Sequence, residues 1–199
     1  VFSSVIAAMV SRSFFGIKPW YVVPPFEFTS VLQLPWFVLL GFGCGVLGAA
    51  FLKMIRQVKG HFDRVRQPIY VKMALGGLVV GLLAIEFPGV WGNGYLVTNR
   101  ILQNELPLVL LGGLFLAKLL ATVFTVSSGT VGGVFTPTLF LGASLGGVFG
   151  VTLHHLGVAL ELPTSSFALV GMGSVLAATT RSPFLAMIMV FEISLDYSL

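Results

Sequence analysis

The chain has 199 residues, of which 56% are hydrophobic and only 9% are charged; its mean hydropathy is +1.00. A soluble domain carries about 25% charged residues, so soluble globular and disordered classes are excluded. The 11 Lys and Arg against 7 Asp and Glu leave a net charge of +4, too small an excess on so apolar a chain for nucleic-acid binding. One cysteine, Cys44, excludes a disulfide framework and a multi-cysteine metal site. The composition is that of an integral membrane protein in a lipid bilayer, with no cofactor implied.

A spanning helix needs about 20 mostly apolar residues. The first apolar run, Val1–Phe15, carries Ser11, Arg12 and Ser13 and reads as the tail of a span. Lys18, Trp20, Tyr21, Pro24, Pro25 and Glu27 follow, a mixture suited to an interfacial loop. Leu34–Leu52 is long enough to span, and Met73–Phe87 is shorter, with Glu86 near its end. Leu106–Val126 spans with Lys118 inside it. Val131–Leu160 is glycine-rich, and Phe167–Ile193 is broken by Arg181 and Pro183. The chain starts inside one apolar run and stops after another, which reads as a piece of a longer membrane protein. It is expected to form a single transmembrane region over 1–199.

Lys53, Arg56, Lys59, Arg64, Arg66 and Lys72 gather in one stretch with Asp63 as the only acid. The positive-inside rule reads 53–72 as a basic cytoplasmic loop. Gly41 and Gly45, Gly77 and Gly81, and Gly142, Gly146 and Gly150 have the four-residue spacing that lets helices approach closely. They predict a packed polytopic bundle and no particular function.

The stretch from Ser127 to Pro137 differs from the rest. It is rich in Gly, Ser and Thr, and it joins two apolar runs at plausible membrane depth. Pro137 fits the first turn of a following helix, and Thr136 or an earlier residue is expected to cap it. Such a helix start presents unpaired N–H groups and the positive end of the helix dipole, which suits an anion. No Lys or Arg lies between Lys118 and Arg181. An anion held by N–H groups and hydroxyls without a full countercharge can leave again, as conduction requires. A plain glycine-rich interhelical turn accounts for the same residues.

Gly132-Gly133-Val134-Phe135-Thr136-Pro137 resembles the GGxFxP signature of the CLC chloride channels and chloride/proton exchangers. Ser127-Ser128-Gly129 fits the same stretch. The resemblance continues in Gly171-Met172-Gly173, in Ala177 through Pro183, and in Phe191-Glu192-Ile193. Pro88-Gly89-Val90 through Gly94-Tyr95 and Lys118 also belong to it, so the motifs recur in order over nearly the whole chain. It implies an all-α fold of tilted and broken helices built as two inverted repeats, with this chain as most of the second and the last helix of the first at its start. It implies an anion site at Gly132, Gly133, Val134, Phe135, Thr136 and Pro137, with the N–H groups of Val134 and Phe135 as donors. Thr136 departs from the family's usual alanine. A homodimer through Val1–Phe15 and Phe184–Ile193 is also implied. The family's serine loop, its gating and proton-transfer glutamates and its pore tyrosine are not in this sequence; Tyr197 follows Glu192 too closely to be that tyrosine. The residues present form one wall of an ion path.

The remaining polar residues carry structural readings. Lys118 is expected to pair or snorkel, Arg181 to mark a helix break, and Glu86 and Glu192 to sit at interfaces. His154 and His155 do not share a helix face, which argues against a metal site there. Cys44 reads as a packing residue. Other function classes fit these residues less well. A cation-coupled broken-helix transporter needs acids at a central cavity, but Glu86, Glu105, Glu161 and Glu192 lie at run ends. An intramembrane hydrolase using Ser144 would need a base, and His154 lies about 15 Å along the same helix. A purely structural assembly subunit remains the blandest alternative.

Overall fold

The computed structural model describes residues 2–16, 21–23, 33–158 and 162–194. Expectations for Lys18, Trp20, Pro24, Pro25, Glu27, Glu161 and Tyr197 lie outside those residues. The described residues form eight α-helices: α1 (Phe2–Phe15), α2 (Leu34–Arg64), α3 (Ile69–Glu86), α4 (Tyr95–Leu102), α5 (Leu108–Ser127), α6 (Phe135–His155), α7 (Thr164–Thr180) and α8 (Pro183–Ser194). A 3-10 turn, Pro88–Val90, sits between α3 and α4. Helices α2, α3, α5 and α6 are long and apolar enough to cross a membrane, whereas α1, α7 and α8 are shorter. The protein is thus a multi-pass, all-helical membrane protein with broken spans.

The basic stretch corrects one expectation. It is mostly helix rather than loop, because α2 continues without a break from Leu34 to Arg64 and α3 begins at Ile69. Only residues 65–68 connect them. Lys, Arg, Gln and Met are good helix formers. The apolar run ends at Leu52, but the helix has no reason to end there.

The break in the last apolar run falls where it was expected. Arg181 closes α7 in the left-handed conformation, with φ 57°, and Pro183 opens α8. Proline in the first turn needs no hydrogen bond from its nitrogen.

Two antiparallel neighbours, α6 and α7, make the tightest pair in the molecule. A Cβ on Gly142 would meet the Gly171 carbonyl, and one on Gly146 would meet the Phe167 carbonyl. Gly150 lies against Phe167 and Thr164. Lipid tails are as apolar as leucine, so this close approach, rather than escape from water, holds the pair together. The other two glycine pairs do not behave this way. Gly41, Gly45, Gly77 and Gly81 have nothing within 4 Å of an added Cβ among the described residues. Their neighbours do instead: Gly48 lies against Ala178, and Gly76 against Ser128.

Three apolar clusters position the rest. Ile101, Leu102, Leu111, Leu139, Phe140, Leu169 and Met172 join α4, α5, α6 and α7. Leu40, Cys44, Leu153, Phe167 and Val175 join α2 to α6 and α7. Cys44 is fully buried, its thiol directed at the Gly171 carbonyl at 3.9 Å, which is a packing role. Phe51, Leu119, Val123 and Leu141 fix α2 against α5 and α6. These last contacts hold the end of α5 and the start of α6 in register, which places the Gly-rich seam between them.

Candidate functional site: the seam between α5 and α6

Helix α5 ends at Ser127 and α6 starts at Phe135, with Val134 as its flanking residue. The first helical hydrogen bond runs from the Thr138 N–H to the Val134 carbonyl at 3.0 Å. The N–H groups of Phe135 and Thr136 therefore have no partner within the helix, and Pro137 has no N–H to offer. No side chain caps this start. Thr136 stands inside the helix rather than at its cap, which corrects the capping expectation. The Thr138 hydroxyl donates to the Phe135 carbonyl at 2.6 Å, away from the N-terminus.

The seam hydroxyls are occupied by protein. Ser127 Oγ donates to the Ile55 carbonyl of α2 at 3.2 Å. Ser128 Oγ donates to the Thr125 carbonyl at 2.9 Å and lies 3.0 Å from Thr130 Oγ1. A hydroxyl that has given its proton to a carbonyl presents only lone pairs, which repel an anion. Ser127 and Ser128 therefore offer no hydroxyl proton to an anion, and the N–H groups at the uncapped start of α6 remain as donors. Gly129, with φ +89°, lets the chain turn away from α5 beneath Ile69, where a Cβ would stand 2.8 Å from the Ile69 Cδ1.

The seam opens onto a cavity of about 400 Å³. Gly132, Gly133, Phe135, Thr136 and Pro137 form one side, and Val134, half exposed, adjoins them. Thr122 and Thr125 of α5 lie beneath. Val90, Trp91, Gly92 and Asn93 of the turn before α4 also line it. No Asp or Glu lines it among the described residues. Gly132, Gly133 and Val134 are exposed, so nothing among the described residues covers the seam on that side.

Lys118 also lines this cavity. Its residue exposure is 3%, and Nζ donates to the carbonyls of Val90 at 2.9 Å and Gly92 at 2.7 Å. The ammonium lies 5.5 Å from the centre of the Phe140 ring, within range of a cation–π attraction. The pairing reading holds, but the partners are backbone carbonyls rather than an acid.

The whole of this arrangement falls within a recognised family. A family model described as voltage gated chloride channel matches residues 1–199. The chain belongs to the voltage-gated chloride channel family. It is 42% identical over 195 residues to a ClcB-like protein of Ralstonia nicotianae, covering 98% of this chain and 46% of that one. It is 32% identical over 212 residues to the chloride channel protein CLC-f of Arabidopsis thaliana, covering 99% of this chain and 27% of that one. Among solved structures, a slow cyanobacterial Cl−/H+ antiporter superposes with a TM-score of 0.85 at 25% identity, covering 98% of this chain and 46% of that one. A CLC-type fluoride/proton antiporter shares the fold, with a TM-score of 0.75 at 23% identity, covering 96% and 47%. The chain spans less than half the length of each of these proteins.

Other singled-out residues lie away from the seam. Glu192 pairs with Arg12 of α1 at the exposed edge of α8. Glu105 faces Arg100 at 4.0 Å beside α4, and Glu86 ends α3. The His154 Nε2 lies 2.7 Å from the Leu162 carbonyl, tying the end of α6 to the start of α7. Ser144 is fully buried in α6 with no hydrogen-bond partner. A nucleophile needs an adjacent base and access for its substrate, and Ser144 has neither among the described residues.

Proposed function

We propose that this protein carries chloride, or a similar small monovalent anion, across a membrane, by passive conduction or by chloride/proton exchange. The anion rests on the N–H groups of Val134 and Phe135 at the start of α6, within the segment Gly132–Pro137. One observation carries this reading. An uncapped helix N-terminus opens into a cavity with no carboxylate on its described walls. Partial positive charge and orphan donors favour an anion there. The relatives named as chloride channels and the Cl−/H+ antiporter structure support it.

The protein is a transporter rather than an enzyme on this reading, and chloride is its cargo; it takes no cofactor. The segment 1–199 acts as one transmembrane region, with the basic turns of 53–72 in the cytoplasm. The assembled protein is a homodimer through Val1–Phe15 and Phe184–Ile193. Phe2, Ile6, Met9, Phe184 and Ile188 are exposed apolar side chains on α1 and α8, which supports that surface. A cation-coupled transporter has less behind it, because Glu105 and Glu192 are paired away from the cavity.

The deciding experiment reconstitutes the full-length protein in liposomes and records chloride efflux with a pH electrode. Chloride efflux with stoichiometric proton movement identifies an exchanger, and efflux without it a channel. A folded protein with no chloride flux overturns the reading.

A further inference from the structure

Lys118 is a buried cation without a buried anion. Neither ion pair among the described residues involves it. Its two acceptors are neutral carbonyls, so the charge itself is uncompensated. An ammonium has three N–H donors, and no acceptor among the described residues takes the third. A charge removed from water without a partner is costly, and a protein that keeps one at a cavity wall has placed positive potential there. Both carbonyls belong to the turn that lines the same cavity as Gly132, Gly133, Phe135, Thr136 and Pro137. The same side chain thus charges the cavity and holds this turn. Val90 anchors one end of the turn in the core, while Gly92 and Gly94 adopt left-handed conformations, with φ +58° and +84°.

We propose that Lys118 is a positioning and specificity residue of the anion path. Its ammonium supplies the fixed positive charge that draws a small monovalent anion into the cavity. Its grip on Val90 and Gly92 holds the turn that lines the cavity. The α6 N-terminus then receives the anion at short range, while the absence of a second cation lets it leave. This inference rests on the chloride reading of the same cavity.

The test uses full-length protein, with chloride affinity measured by titration calorimetry and flux measured in liposomes. Lys118→Met keeps the length of the side chain and removes the charge. It is expected to weaken chloride binding at least tenfold and to slow flux more at low chloride than at saturating chloride. Lys118→Arg, which keeps charge and donors, is expected to stay within threefold of the parent. Lys118→Gln keeps an N–H donor for the turn and lacks the charge. It is expected to weaken chloride to a similar degree, and it decides if Lys118→Met does not fold. Folded variants that bind chloride as the parent does overturn the role of Lys118 while leaving the chloride reading intact. A parent protein that neither binds nor carries chloride overturns both.

Discussion

Gly142 and Gly171 face each other across the crossing of α6 and α7, each with the other's carbonyl standing where a Cβ would be. The two backbones are therefore in direct contact at this level. Substitution of Gly142 by Ala must part the helices, because backbone cannot rotate aside as a side chain can. Overpacking of this kind costs about 1–3 kcal/mol. We expect Gly142→Ala to lower the melting temperature in detergent clearly. Gly60→Ala, where nothing lies within 4 Å, should leave it unchanged or slightly higher. Equal melting temperatures for the two variants would contradict the crossing described here.

Gly94 allows a second separation of effects. It has φ +84°, and a Cβ there would stand 2.8 Å from the Phe140 Cδ2. Gly157 has φ +72° but open space around it. Each alanine carries the left-handed cost of about 1–2 kcal/mol. Only Gly94→Ala also displaces Phe140, the ring beside Lys118. Gly94→Ala should therefore be the less stable of the two and should weaken chloride binding, with Gly157→Ala leaving affinity unchanged. Calorimetry on both variants checks the pair.

Glu192 is a poor candidate for a proton carrier. Its carboxylate is half exposed and bonded to Arg12, far in sequence and on another helix. An exposed ion pair of this kind contributes at most about 1 kcal/mol. Glu192→Gln is expected to lower stability by no more than that and to leave any ratio of chloride to proton movement as in the parent. Loss of proton movement in Glu192→Gln, with chloride flux retained, would place the residue on the transport path.

Much of this architecture was legible in the residues themselves. The breaks at Arg181 and Pro183, and the new helix near Pro137, follow from local backbone rules that need no tertiary information. The short helix α4 was not legible, because YLVTNRIL is eight residues of mixed polarity and falls below any spanning length. The glycine spacing marked close packing correctly at Gly142, Gly146 and Gly150. It misplaced the contact by one residue at Gly76, since which face of a helix meets a neighbour is set by that neighbour. The Lys118 partners were invisible for a related reason. Val90 and Gly92 accept through backbone carbonyls 28 and 26 residues away, and every residue has a carbonyl. The acceptors of the Ser127 and Ser128 hydroxyls were not legible either, because a sequence shows a donor but not where its proton goes.

The central claim is that the backbone at the start of α6 holds the anion, and a single atom tests it. Replacing the Phe135 amide by an ester removes its N–H and keeps the side chain. The helix ladder loses no donor, since that N–H has no intrahelical acceptor, while the Val134 carbonyl that accepts from Thr138 becomes a weaker, ester acceptor. A hydrogen bond to a charged group contributes about 1.5–3 kcal/mol, which corresponds to roughly 10- to 150-fold in affinity. Chloride titration of the full-length ester variant should show a loss in that range, with the melting temperature of the chloride-free protein only slightly lowered. Chloride affinity equal to that of the parent would contradict the account and place the anion elsewhere.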